Sequence, residues 1–186
     1  MRIFFRKTLE LFGWKLMGEF PDVKKSVVII APHTSNWDFA IGRFYLNAIG
    51  ISNNTLMKKE LFIFPLNIIL KGLGAIPIDR HNKKTSVVAQ AVTMYNNREN
   101  LNLFVAPEGT RERKTHWKKG FYYIAKEANV PIVVSFIDYK KKEIGMKCIV
   151  NNTNSFDETM KEITEYYRGI NAKFPSNFSL DSRYDK

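Results

Sequence analysis

Residues 26–38 read Ser26-Val27-Val28-Ile29-Ile30-Ala31-Pro32-His33-Thr34-Ser35-Asn36-Trp37-Asp38. The first six form a short, continuous β-branched run, which predicts a strand covered on both faces, because a half-exposed strand alternates apolar with polar residues. From Ser35 the pattern becomes helical through about Ala48. A buried strand feeding a helix is the opening of an α/β unit. The loop between them lies at the carboxyl end of the strand, where such folds build their sites.

The same alternation continues outward. Thr55-Leu56-Met57 is a weak strand, and the apolar segment 61–70 (LFIFPLNIIL) follows it. Gly72-Leu73-Gly74 breaks the chain before the strand 75–78. A helix is expected over 84–97, with Val87, Val88, Ala91 and Met94 or Tyr95 on one face. The strand 100–106 is stopped by Pro107-Glu108-Gly109, a helix spans 118–128, and buried strands follow at 130–137 and 144–150. A closing helix, 157–169, aligns Met160, Ile163 and Tyr167, and 176–186 reads as a polar, frayed tail. The expected architecture is α/β, a single domain over 1–175 with a mixed sheet covered by helices on both faces. No internal repeat or dividing linker interrupts it.

Bulk properties narrow the function. With 186 residues, 45% apolar and 25% charged, the chain is long enough to bury a core without disulfides. A single cysteine, Cys148, excludes a disulfide framework and a multi-cysteine zinc site, and within its apolar strand reads as an inert core thiol. The 29 basic against 18 acidic residues give a net charge of +11. That excess calls for an anionic partner, namely nucleic acid, anionic lipid or a phosphorylated small substrate.

The start Met1-Arg2-Ile3-Phe4-Phe5 is broken by Arg6, Lys7 and Glu10, whereas a signal peptide needs an apolar core of about 7–15 residues. Segment 61–70 is half the length of about 20 that a spanning helix requires. As a helix, 2–17 aligns Phe5, Leu9, Phe12 and Leu16, with Arg2, Arg6, Lys7 and Lys15 around the stripe. Within residues 1–20 this amphipathic helix either lies in a membrane interface or packs on its own core.

Three constellations have chemical potential. In the first, Ser35 as N-cap puts Asp38 at the third helical position, a capping box. The same spacing lets Asp38 face His33, hold its imidazole in one tautomer and make it a general base. In the second, Pro107-Glu108-Gly109-Thr110-Arg111 follows a strand. Gly109 permits a tight turn, and Arg111 offers a planar fork for phosphate or carboxylate. Arg113, Lys114, Lys118 and Lys119 extend the charge, as an anion cradle or as a solvated face. The third, Gly74 to Arg80 (GAIPIDR), is a strand ending in a surface Asp79-Arg80 pair, or a second guanidinium for the same anion. No phosphate-binding glycine loop and no G-x-S-x-G elbow occur. His33, His81 and His116 lack metal-ligand spacing.

Taken in order, these motifs resemble the glycerophospholipid acyltransferase family, the 1-acyl-sn-glycerol-3-phosphate acyltransferase-like enzymes with an H-x4-D motif. His33 to Asp38 matches the first block, GAIPIDR the second, PEGTR the third, and Lys119-Gly120 with Val130-Pro131-Ile132-Val133 the lysine-glycine and fourth-block positions. The likeness covers about 26–136. Two positions depart from it, Val134 in place of a second proline and Glu112 in place of a serine.

The resemblance implies transfer of a fatty acyl group from acyl-CoA or acyl-carrier protein to the hydroxyl of a lysophospholipid-type acceptor in phospholipid biosynthesis, with 1-acyl-glycerol-3-phosphate foremost. His33 and Asp38 are then catalytic, and Arg80, Glu108, Gly109, Thr110, Arg111 and Lys119 bind substrate. Segment 61–70 is an acyl-chain groove or plain core. No metal or bound cofactor is implied. The expected partner is an anionic membrane surface, with the protein peripheral on its cytoplasmic side. The competing expectations are acylation of a non-phosphorylated amphiphile of the ornithine-lipid type, and a non-catalytic basic module that binds nucleic acid.

Overall fold

The computed structural model describes residues 1–52, 54–79, 81, 85–150 and 155–185. Among these residues seven strands form one sheet: β1 (Lys15–Met17), β2 (Lys25–Ala31), β3 (Asn54–Lys58), β4 (Ala75–Ile78), β5 (Leu101–Val105), β6 (Ile132–Asp138) and β7 (Glu143–Val150), in the order β1-β7-β6-β2-β5-β3-β4. Strands β6, β2, β5, β3 and β4 run parallel, and β7 is antiparallel to β6. The sheet is therefore mixed, as expected. Six helices cover it: α1 (Arg2–Leu11), α2 (Asn36–Ile49), α3 (Leu66–Gly72), α4 (Val87–Asn96), α5 (Gly120–Glu127) and α6 (Phe156–Tyr167).

The direction of each crossover assigns the helices to faces. The connections β2-α2-β3 and β3-α3-β4 step toward β4, whereas β4-α4-β5 and β5-α5-β6 step back. With right-handed crossovers, α2 and α3 lie on one face and α4 and α5 on the other. The two cores agree. Tyr45 and Leu46 of α2 pack with Val28, Phe104 and Val133, while Tyr95, Phe121 and Ile163 of α4, α5 and α6 pack with Val27, Ile29 and Val134. Adjacent residues of β2 thus point into opposite cores, and Val27, Val28 and Ile29 are fully buried, as a doubly covered strand requires.

Neighbouring β2 and β5 send their following helices over opposite faces, so the crevice between their carboxyl ends is the topological switch point. Both motif loops, 32–38 and 106–119, leave from it.

Three expectations are corrected. The helix predicted over 2–17 stops at Leu11, because Gly13 at φ +80° closes a Schellman motif, with Gly13 N–H donating to the Glu10 carbonyl and Trp14 N–H to that of Leu9. Residues 15–17 instead form β1, beside β7. There Gly145 lies so close to the Met17 carbonyl that a Cβ would sit 1.9 Å from it. Helix α1 is docked on one side, through buried Leu9 and an edge-to-face contact of Phe5 with Phe44, and open on the other.

Segment 61–70 is mainly a three-residue 3-10 turn (Lys59–Leu61) and α3. It belongs to neither core cluster and lies mostly open on the surface, which overturns the plain-core alternative alone.

The tail is not frayed. Phe178, Leu180 and Tyr184 pack on the core, Ser182 N–H donates to the Thr115 carbonyl, and Asp181 is fully buried. The Asp181 carboxylate accepts the Trp117 N–H at 2.8 Å and the Arg183 guanidinium at 2.6 Å, strapping the chain end across the loop that carries Arg111. Pairing of this kind is invisible in a polar stretch read alone. Burial pushes the Asp181 carboxyl up, but the hydrogen bonds and charge of Arg183 and the Trp117 N–H outweigh it, leaving a pKa below the ordinary 3.8. Its stabilisation is complete above that value and is lost as pH falls toward the depressed one. Asp181→Ala strands a buried N–H and an arginine, so the chain loses about 2 kcal/mol, measured by urea unfolding at neutral pH. The deficit relative to the parent chain shrinks as the pH is lowered below the range in which Asp181 is ionised.

Candidate active site

The capping box and the approach of Asp38 to His33, set out above as alternative uses of one spacing, occur together. Asp38 is 2% exposed, and its Oδ2 accepts the N–H groups of Thr34 and Ser35, each at 2.7 Å. The Ser35 hydroxyl accepts the Trp37 N–H at 3.0 Å. Fixed by this cap at the start of α2, Oδ2 also lies 3.6 Å from Nδ1 of His33. That distance orients the ring without a formed hydrogen bond, and such contacts tighten when substrate binds.

Two further side chains bond to this loop, and both come from distant parts of the chain. The Glu108 carboxyl, 5% exposed, accepts the His33 N–H at 2.9 and 3.2 Å, latching the β5 loop to the β2 loop. Burial raises its pKa to about 8, opposed by the His33 N–H bond and assisted by the charge of Asp38. Both oxygens of Glu108, a residue expected to bind acceptor, face the backbone N–H of His33. Tyr139, at the end of β6, was missed in the sequence. Its hydroxyl donates to Oδ1 of Asp38 at 2.6 Å, and burial together with that carboxylate raises its pKa far above the ordinary 10.0. With 101 residues between the partners, no local pattern announces it.

The electrostatics favour a base. Burial lowers the His33 pKa below 6.5, Asp38 pulls it up, and the positive charge of Arg111 pushes it down again. Burial and Arg111 thus favour the neutral imidazole, and Asp38, 3.6 Å from Nδ1, is placed to stabilise the charged form. Removing the Tyr139 hydroxyl returns more of the Asp38 charge to His33. Tyr139→Phe thus moves the acid limb of the rate profile upward and lowers turnover several-fold, read from a pH–rate series.

The other expected residues are placed unequally. Gly109 has φ +70°, which only glycine adopts without strain, and its N–H closes a turn onto the Ala106 carbonyl at 3.1 Å. The Thr110 hydroxyl accepts the Glu112 N–H at 3.3 Å. Arg111 is exposed, and its charge reaches His33. Lys119, just before α5, has its ammonium 4.7 Å from the Phe156 ring, a contact that does not belong to the dyad. Arg80 lies outside the described residues, as do residues 82–84, the last of them the expected start of the helix over 84–97. Cys148 is half-buried on β7, and burial raises its pKa, in keeping with an unreactive thiol. Among the described residues no cluster of three His, Cys, Asp or Glu side chains is placed to hold a metal ion.

Fold and site together define an α/β domain with a histidine beside a buried carboxylate at its switch point and an arginine whose charge reaches it. The chain belongs to the acyltransferase family, whose model matches residues 15–137. It is 33% identical over 179 residues to a 1-acyl-sn-glycerol-3-phosphate acyltransferase of Limnanthes douglasii, an alignment covering 86% of this chain and 62% of that protein. The protein of the same name from Haemophilus influenzae is 29% identical over 137 residues, covering 69% of this chain and 56% of that one. The chain thus spans little more than half the length of these relatives. The crystal structure of the 1-acyl-sn-glycerophosphate (LPA) acyltransferase PlsC from Thermotoga maritima superposes with a TM-score of 0.65 at 18% identity, over 91% of this chain and 76% of that one. That likeness establishes the fold.

Proposed function

We propose that this chain transfers a fatty acyl group from a thioester, acyl-CoA or acyl-carrier protein, to the hydroxyl of a lysophospholipid, with 1-acyl-glycerol-3-phosphate the leading acceptor. The observation that carries this reading is the neutral His33, backed by Asp38, set beside the charge of Arg111. His33 Nε2 removes the acceptor hydroxyl proton as that oxygen attacks the thioester carbonyl. The tetrahedral intermediate collapses by breaking the C–S bond, and the imidazolium returns its proton to the departing thiolate. The acceptor is itself the nucleophile, so no acyl-enzyme is needed. Arg111 holds the acceptor phosphate. The names carried by the similar proteins support this acceptor class.

Within this reading the chain works at the cytoplasmic side of a membrane, attached peripherally. Its net charge of +11 and the open apolar side of α1 support that placement. Among the described residues no helix is long and apolar enough to cross a membrane.

A second acceptor class, a non-phosphorylated amphiphile, is favoured by one feature. Glu112 sits next to Arg111, where it offsets the charge that a phosphate would meet. Incubating labelled acyl donor with a panel of lyso-acceptors, followed by thin-layer separation, decides between them. Lysophosphatidate is expected to accept fastest. Labelling of an ornithine-type amphiphile alone overturns the phosphate reading.

A further inference from the structure

Between β3 and β4 the fold turns its apolar side chains outward. Phe64 is 80% exposed, Ile63 66%, Ile68 62% and Ile69 57%, and α3 has no buried residue. The polar member of the helix does the reverse: Asn67 is partly buried, its Oδ1 enclosed without a hydrogen-bond partner. A surface helix in water has the opposite polarity. An exposed apolar patch of this density marks a contact with something apolar.

Topology places the patch at the working end of the molecule. Strand β3 runs parallel to β5 and β5 to β2, so its carboxyl end, Lys58, lies at the same end of the sheet as the His33 and Glu108 loops. The 3-10 turn and the 62–65 bend begin there. Helix α3 shares the α2 face, and the Arg43 guanidinium of α2 donates to the Leu73 and Gly72 carbonyls at the end of α3. The next residue of α2, Phe44, holds α1 from the other side. Two elements with outward apolar side chains therefore flank the helix that begins at the dyad.

Charge identifies the occupant. Exposed Lys58, Lys59 and Lys71 border the patch, and Glu60 is the sole acid from 58 to 71. A second copy of the chain docked face to face would bring these like charges together, whereas an anionic bilayer offers phosphates for the lysines and acyl chains for the apolar tip. We propose that residues 58–71 form a bilayer-docking element, with Ile63 and Phe64 entering the acyl boundary of an anionic phospholipid surface and the flanking lysines meeting its headgroups. The proposal rests on the lipid-acceptor reading for its purpose, but it uses a separate surface.

The test is flotation of the full chain with vesicles of phosphatidylcholine alone and with added phosphatidylglycerol. Ile63→Ser with Phe64→Ser is expected to lower the partition coefficient at least tenfold, since each buried apolar side chain contributes a comparable factor. Lys59→Glu with Lys71→Glu is expected to abolish the preference for phosphatidylglycerol. Circular dichroism of both variants should match the parent chain, because none of the four residues is buried. Acylation of a vesicle-borne acceptor should fall much further than that of a dispersed short-chain acceptor. If no acceptor is acylated at all, the function reading fails while flotation still judges the surface. Unaltered flotation of the serine variant overturns the proposal. So does sedimentation velocity showing that the parent chain self-associates through the patch and the variant does not.

Discussion

His33→Ala is expected to lower turnover by about 10³-fold, within the range that a positioned general base contributes. The fold should persist, because the ring is partly exposed and the contacts that lock this loop are made by its backbone N–H to Glu108, which alanine retains. Acceptor affinity should also persist, since Arg111 and not His33 carries the positive charge at neutral pH. Single-turnover rates with saturating donor, together with direct acceptor binding, separate these quantities. Near-normal turnover removes the dyad from the mechanism. The pH dependence supplies a second reading. Burial and Arg111 hold the His33 pKa below 6.5, so kcat/KM, which reports the free enzyme, is at its plateau at neutral pH and falls as the pH drops through that lowered value.

Arg111→Ala has the second large effect, and it acts in two directions at once. Loss of a charge-assisted contact to phosphate costs about 1.5–3 kcal/mol, which raises the acceptor KM roughly 10- to 100-fold and leaves the donor KM nearly unchanged. The same substitution removes a cation that depresses the His33 pKa, so the acid limb of kcat/KM moves upward. A phosphate bound at Arg111 offsets its charge in the same sense, and the parent enzyme should therefore show a higher limb in kcat than in kcat/KM. An unchanged acceptor KM places the phosphate elsewhere. An unchanged limb separates Arg111 from the dyad.

Several parts of this molecule are written in short windows of sequence. The Val27–Ile29 run gives a strand buried on both sides, and Ser35 with Asp38 gives the cap that begins α2. The PEGTR turn follows β5 as its composition requires, with Gly109 in the left-handed region. In each case the determinants lie within about ten residues, where periodicity, capping and backbone freedom act directly. The motif blocks belong to the same class of signal, and the family match agrees with them.

The misreadings share a cause. Residues 2–17 have an unbroken apolar stripe, yet Gly13 ends the helix and the next three residues gain more from pairing with β7. Segment 61–70 is apolar enough for a core, but it joins neither of the two core clusters that the sheet builds on its faces. The tail is polar, but one of its carboxylates fits a buried N–H.

The sequence by itself determined the alternation of strands and helices, the loops that hold His33, Asp38 and Arg111, and the chemistry of which those side chains are capable. Tertiary structure alone decided how they are held. The Glu108 latch spans 75 residues, the Asp181 strap 64 and the Tyr139 bond 101. Contacts at that separation follow from strand order and from which ends of the sheet meet, quantities that no local pattern encodes. The loop at 32–38 is therefore a cap with Asp38 beside His33 by local rule, and a loop latched to the rest of the sheet only because β5 and β6 bring Glu108 and Tyr139 to it.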